Sequence, residues 1–90
     1  MATFYGNLAP ADVENLDRLS RLLLDLRESH RALLARYGAT DEETLFAKIR
    51  AGEVAEHPAY EDYLGAKAID AMREAIRADL KDYLLHIRLP

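Results

Sequence analysis

Hydrophobic residues at alternating steps of three and four run through the first half of the sequence. Six of the seven positions are apolar, and the set is Leu16, Leu19, Leu23, Leu26, His30, Leu33 and Tyr37. This is the a/d spacing of a helix that packs lengthwise against another helix. Pro10 suits the first turn of such a helix, and Gly38 suits its end. The pattern predicts a first helix over residues 10–37.

Two further helices are predicted after Gly38. Thr40 and Glu43 have the spacing of a capping box, which predicts a short helix over residues 41–51. Pro58 suits the start of a third helix over residues 58–88, whose apolar stripe is Ile69, Met72, Ile76, Leu80, Tyr83 and Ile87. We therefore expect a single all-α domain over residues 1–90, a long antiparallel helical hairpin with a short helix at the turn.

The two long helices carry more apolar surface than one hairpin can cover. Each is on the order of 40 Å long at about 1.5 Å per residue. The consecutive residues Leu22, Leu23 and Leu24 cannot all face one partner helix. We expect a homo-oligomer, in the simplest case a dimer that forms a four-helix-type bundle. Its oligomer seam is predicted as Leu16, Leu19, Leu23, Leu26, His30 and Leu33.

Several classes of protein are disfavoured by what the sequence lacks. It has no cysteine, which excludes disulfides, thiolate nucleophiles and thiolate metal sites. No Gly-rich phosphate loop occurs, and no cofactor is predicted. Residues 1–7 lack the basic start of a signal peptide, and the longest apolar run is too short to span a bilayer. We expect a cytoplasmic protein without a membrane segment.

The negative charge is concentrated around the predicted turn. Residues 41–62 carry seven acidic and two basic residues, a net charge of −5, whereas the whole chain carries −4. Nucleic-acid affinity comes mainly from basic residues that neutralise phosphates. A nucleic-acid-binding regulator is therefore the least favoured function. The segment of a possible recognition helix, residues 58–62, is acidic as well.

The same region favours a protein-binding surface. Acidic side chains steer a basic partner toward the site, and tyrosines hold it once it has docked. The predicted partner-binding residues are Glu53, Glu56, Tyr60, Glu61, Asp62 and Tyr63. In the simpler interpretation, the acids favour the positive end of a helix and the tyrosines pack the short helix onto the hairpin.

An enzyme remains an alternative, with His57 and the acids of the turn forming a divalent metal site. Arg50 and His57, with six residues between them, also resemble the R-x4-6-H signature of the helical HEPN ribonucleases. His30 has two interpretations. In the functional one it is a metal ligand, a general base or a pH switch. In the packing one it is a polar residue that finds a hydrogen bond in the core. His86 follows Asp82 by four residues, a spacing that allows either a surface metal site or an ordinary ion pair. No catalytic residue and no metal ligand is assigned.

The central third of the chain has a recognisable pattern. It comprises Leu33–Gly38, Thr40–Ile49, Gly52-Glu53 and His57–Leu64. This pattern resembles small helical prokaryotic proteins of unknown function, some of which are candidate antitoxins encoded beside toxin genes. The resemblance implies a partner-binding role without catalysis. The leading hypothesis is a non-enzymatic protein–protein interaction module, and a metal-dependent or ribonuclease-type enzyme that uses the His57 turn is the alternative.

Overall fold

The computed structural model describes residues 9–86, and these residues form three α-helices. α1 spans Pro10–Ala35, α2 spans Glu42–Arg50 and α3 spans Glu56–His86. No strand occurs within this part of the chain, and the predicted all-α fold is confirmed. Ile87, at the end of the predicted stripe, and the ends of the predicted domain lie outside the described residues.

α1 and α3 form an antiparallel hairpin that is fastened by a tyrosine–aspartate hydrogen bond at each end. At the bend, the Tyr37 hydroxyl donates to Asp62 near the start of α3. At the open end, the Tyr83 hydroxyl donates to Asp12 in the first turn of α1. Asn15 Nδ2 also donates to the Tyr83 oxygen over 3.2 Å. The turn just after α1 is thus bonded to the beginning of α3, and the last turn of α3 is bonded to the first turn of α1.

The ends of the helices follow from local chemistry, with one correction. Asp41 rather than Thr40 caps α2, since its Oδ1 accepts from the Thr44 backbone N–H at 2.7 Å. Both residues have a side-chain oxygen suited to capping, but an aspartate also brings negative charge to the positive end of the helix. Gly38 adopts φ +66° just after α1, a conformation that side chains disfavour.

α3 contains a kink at His57, where φ is −112° and ψ is 128°. This extended conformation is the one expected of a residue that precedes proline. The His57–Pro58 peptide bond is cis. The regular part of α3 follows Pro58 and leaves His57 at the rim of the bend.

The hydrophobic core lies at the bend, where all three helices meet. Its buried residues are Leu34, Ala39, Leu45, Ala59 and Ala66. α1 and α3 pack against each other beside this core, since Leu33 Cδ2 lies at an ordinary contact distance of 3.6 Å from the position that a Cβ of Gly65 would occupy. The core therefore fixes α2 against the hairpin, and beyond it only Leu16 and Ile76 are buried among residues 9–86.

The heptad positions of α1 lie along the hairpin. Leu16 is buried, and the other five predicted seam residues are half-buried: Leu19, Leu23, Leu26, His30 and Leu33. Part of each of these five side chains is left for further contacts. Whether a second copy makes those contacts stays a prediction.

On α3 the structure corrects the predicted stripe. Met72 is 50% exposed, and Arg73 is half-buried in its place. A straight helix repeats every 3.6 residues, but lengthwise packing against α1 selects positions every 3.5 residues on average. The position seven residues after the buried Ala66 is therefore Arg73.

The molecule is a rod of 57 × 21 × 16 Å. Its radius of gyration is 17.9 Å, against about 12 Å for a compact domain of this length. Within residues 9–86 no helix combines the length and the apolar character needed to cross a membrane. The large hydrophobic side chains that remain exposed are Leu22, Leu24, Phe46, Tyr60, Leu64, Met72, Leu84 and Leu85.

Candidate protein-binding site at the bend

Three aromatic rings and a leucine form a partly exposed surface at the bend, which we call the aromatic patch. It consists of Phe46 on α2 and of Tyr60, Tyr63 and Leu64 on α3. The Tyr63 ring centroid lies 5.1 Å from that of Phe46 and 6.1 Å from that of Tyr60. Phe46, Tyr60 and Leu64 are 37%, 40% and 47% exposed. Tyr63 is half-buried, and it joins the exposed rings to the core.

The core holds the aromatic patch in place from behind. Leu45, next to Phe46, and Ala59, next to Tyr60, are both 0% exposed. Because these neighbours fix the backbones of α2 and α3, the rings are placed before any partner arrives. A surface that is ordered in advance loses less conformational entropy on binding.

Two cations already lie over the rings of the patch. The Arg50 guanidinium is 5.9 Å from the Phe46 ring centroid, and Lys67 Nζ is 5.5 Å from that of Tyr63. Both distances fall within the range of a cation–π interaction, in which the negative face of a ring attracts positive charge. One face of each of these two rings is therefore occupied by a cation of the chain itself.

His57 joins two of the predicted acidic residues beside the patch. Its Nδ1 lies 2.6 Å from Glu61 Oε1, and its Nε2 lies 3.4 Å from Glu56 Oε2. The hydrogen bond to Glu61, together with the negative charges of Glu61 and Glu56, raises the pKa of His57 above its ordinary value. All three side chains are exposed, and they place negative charge at the rim of the bend.

The remaining two predicted acids have partners within the chain. Asp62 accepts the Tyr37 hydrogen bond, and one of its oxygens lies 3.9 Å from Arg36. The hydrogen bond to Asp62 raises the pKa of Tyr37. Asp62 is 23% exposed, so the structure places it in the packing between α1 and α3. Glu53 is exposed, and it lies 3.7 Å from Lys48.

His30 has a carboxylate partner on α2. Its Nε2 lies 2.5 Å from Glu42 Oε1, and the two side chains are 14% and 21% exposed. A polar residue at this seam position thus finds a hydrogen bond that links α1 to the first turn of α2. This geometry agrees with the packing interpretation of His30.

The metal-site alternative meets a geometric obstacle at His57. Glu56 and Glu61 approach opposite nitrogens of the same imidazole, so the three groups do not converge on one point. No group of three His, Asp or Glu side chains is placed to hold a metal ion in the part of the chain that the structure describes. His86 accordingly pairs with its own helix, with Nδ1 3.5 Å from Asp82 Oδ1.

Two members of the aromatic patch were not among the predicted partner-binding residues. Phe46 follows Leu45 directly, and adjacent residues of a helix point about 100° apart, so a packed face centred on Leu45 leaves Phe46 at its edge. That signal was available in the sequence. Leu64 follows Tyr60 by four residues, which places the two side chains side by side on α3. The contact between Phe46 and Tyr63 required the tertiary structure.

Comparison with known proteins places the chain in a family. No curated protein and no solved structure matches it. A family model described as the uncharacterized protein MJ0235 family matches residues 13–88, which include nearly all of the three helices. The chain therefore belongs to the uncharacterized protein MJ0235 family.

Proposed function

We propose that the protein is a non-enzymatic protein–protein interaction module whose aromatic patch binds a basic segment of another protein. The observation that carries this proposal is the exposure of Phe46 and Tyr60, at 37% and 40%, directly beside fully buried core residues. Large aromatic side chains in a fixed, partly exposed cluster are typical anchors of protein interfaces.

The chemistry of the site favours a partner rich in arginine or lysine. The ring faces of Phe46 and Tyr63 already attract Arg50 and Lys67, and a partner's cation can use the exposed face of Tyr60 in the same way. Glu56 and Glu61 provide negative charge at the rim. These carboxylates act mainly on the association rate, whereas the rings act mainly on dissociation.

Such a module is antitoxin-like or regulatory in its mode of action. When the acidic and aromatic bend binds a basic partner, it covers the partner's basic surface. The covered surface can then no longer contact nucleic acid. The partner's own chemistry then supplies the regulated activity. We propose a basic toxin as one partner that has the required positive charge.

We also propose that the module acts as a homodimer. Leu22 and Leu24 are 40% and 55% exposed, and they point about 200° apart around α1, so one neighbouring helix cannot cover both. Met72 on α3 is 50% exposed. A second hairpin packed on the side of Leu22 and Met72 covers them and makes the rod more compact.

A peptide-binding experiment tests the partner-binding proposal. A short Arg- and Lys-rich peptide, and its counterpart with Glu at every basic position, are titrated into the ¹⁵N-labelled protein. We expect the basic peptide alone to shift the amide signals of Phe46, Tyr60, Tyr63 and Leu64. Tyr60→Ala should weaken binding about tenfold or more, as truncation of an aromatic anchor does. Leu85→Ala, at a 73% exposed position on the far end of α3, is the control.

The charge contribution has its own matched pair of variants. Glu61→Gln removes an exposed carboxylate that pairs with His57 at i,i+4, and Asp17→Asn removes one that pairs with Arg21 at the same spacing on α1. We expect only Glu61→Gln to slow association at low salt. Signal shifts spread evenly over the hairpin, or equal losses from both variants, would refute a site at the bend.

A further inference from the structure

A pocket on the side of the hairpin, between α1 and α3, has arginine at half of its lining positions. Its volume is about 240 Å³, and its lining residues are Ser20, Leu23, Leu24, Arg27, Arg73 and Arg77. Three of these six residues are arginines, and none is acidic. Because like charges repel, three arginine side chains lining one small space favour a bound anion. The pocket is therefore chemically distinct from the acidic, aromatic bend.

Arg73 is the residue that packing alone does not explain. It occupies a heptad position of α3, and its side chain is only 15% exposed. Its Nη1 lies 3.3 Å from Asp70 Oδ1, but its Nε is buried and has no hydrogen-bond acceptor within residues 9–86. A buried donor without an acceptor destabilises a fold, and an apolar residue of similar volume avoids this cost. Because Nε is shielded from solvent, a ligand in the pocket can contact this guanidinium only through its Nη groups.

The charges around the pocket do not cancel, and the excess is positive. Arg73 is paired with Asp70, and Arg77 Nη1 lies 2.9 Å from Glu74 Oε1. Arg27 has no carboxylate within 4.0 Å in the described part of the chain. The three arginines of the pocket therefore have two carboxylate partners, which leaves a net charge of +1 (three minus two). Each guanidinium carries five N–H donors, so even the paired arginines keep donors for a ligand.

We propose that this pocket binds the phosphate group of a small organic phosphate monoester. A phosphate monoester has three free oxygens, one for each of the arginines Arg27, Arg73 and Arg77. A carboxylate has only two oxygens, and a single guanidinium fork can bind both of them. The apolar part of the ester lies against Leu23 and Leu24, and the Ser20 hydroxyl adds a hydrogen bond.

Calorimetric titration of the full chain with phenyl phosphate tests the proposal. Benzoate, which has the same ring and a carboxylate, is titrated in parallel, and we expect it to bind at least tenfold more weakly. Arg27→Gln and Arg77→Gln should each weaken phenyl phosphate binding about tenfold, because each removes a charge-assisted hydrogen bond. Arg21→Gln is the matched control, since it removes an exposed, i,i+4-paired arginine of α1 that does not line the pocket.

Three outcomes would overturn the assignment. These are the absence of saturable binding, benzoate binding as tight as that of phenyl phosphate, and an effect of Arg21→Gln as large as that of Arg27→Gln. A phosphoserine peptide distinguishes the source of the phosphate. We expect it to bind no more tightly than phenyl phosphate, and clearly tighter binding would contradict a small-molecule ligand.

Arg73→Met separates binding from stability. We expect this variant to lose phenyl phosphate binding and, without ligand, to have a higher Tm than the native chain, because the buried donor without an acceptor is gone. Retained binding in the variant, whatever its Tm, would contradict the role of Arg73. The result is independent of peptide binding at the aromatic patch, so each proposal can fail alone.

Discussion

Two tyrosines near the bend differ in whether the hydroxyl group forms a hydrogen bond. The Tyr37 hydroxyl donates to Asp62 between α1 and α3, whereas the Tyr60 hydroxyl has no hydrogen bond within residues 9–86. Tyr37→Phe should therefore lower the free energy of unfolding by about 1 kcal/mol. Tyr60→Phe, the control, should leave it unchanged. Urea denaturation of the two variants is the measurement, and equal effects would show that the Tyr37 bond adds nothing.

The titration of His57 is a second property of a single residue. The hydrogen bond to Glu61 and the negative charges of Glu61 and Glu56 raise the pKa of His57. A raised folded-state pKa stabilises the fold below the ordinary histidine pKa of about 6.5, and this contribution is lost as pH rises through the folded value. In an NMR titration, Glu61→Gln should lower the pKa of His57. Glu28→Gln, on α1, is the control, and an unshifted His57 in Glu61→Gln would contradict the pairing.

At the level of elements, α2 depends on contacts from α1 as well as on the core. The His30–Glu42 hydrogen bond spans 2.5 Å between two largely buried side chains. His30→Leu should lower the free energy of unfolding by about 1–3 kcal/mol, because it leaves the Glu42 carboxylate partly buried without a donor. Chemical denaturation is the measurement.

A double-mutant cycle provides the control for this prediction. His30→Leu combined with Glu42→Leu removes both polar groups together, and it should recover most of the lost stability. If His30→Leu alone stabilises the protein, then added apolar packing outweighs the lost hydrogen bond, and the contact does not hold α2 in place.

The elements themselves could largely be predicted from the sequence, because their signals are periodic. The a/d spacing from Leu16 onward specified a long helix with one packed face, and the glycines and prolines specified the turn between the helices. The candidate site was harder to predict. Tyr60 and Tyr63 are predicted from their place beside the acids, but the contact of Phe46 with Tyr63 depends on how α2 docks.

The errors arose where two adjacent residues compete for one role. Thr40 and Asp41 can both cap a helix, and only the geometry of the Thr44 amide selects Asp41. Met72 is apolar and Arg73 is charged, yet the heptad geometry of the hairpin buries Arg73. In both pairs the residue type alone does not identify the residue that takes the role, and the tertiary geometry does.

The whole molecule is elongated and exposes large hydrophobic side chains on both long helices. A radius of gyration of 17.9 Å and exposed leucines along both long helices support self-association. Sedimentation equilibrium at tens of micromolar should show a dimer. Leu22→Glu and Met72→Glu should each shift the equilibrium toward the monomer, because each places a charge in the proposed contact.

Leu85→Glu is the control for the assembly, since Leu85 is 73% exposed near the open end of the hairpin. It should sediment like the native chain. A native protein that sediments as a monomer would refute the dimer and leave the exposed leucines without a partner copy.

The two tyrosine–aspartate hydrogen bonds at opposite ends of the rod have a consequence for how α3 is aligned along α1. A heptad pattern repeats, so α3 could slide by seven residues, about 10 Å, and still bring apolar residues together. Such a slide separates Tyr37 from Asp62 and Tyr83 from Asp12 in a single step. Neither hydrogen bond has a copy one repeat away, because Ala55 and Ile69 stand seven residues before and after Asp62. The two hydrogen bonds therefore act together with the core at the bend to select one sliding position.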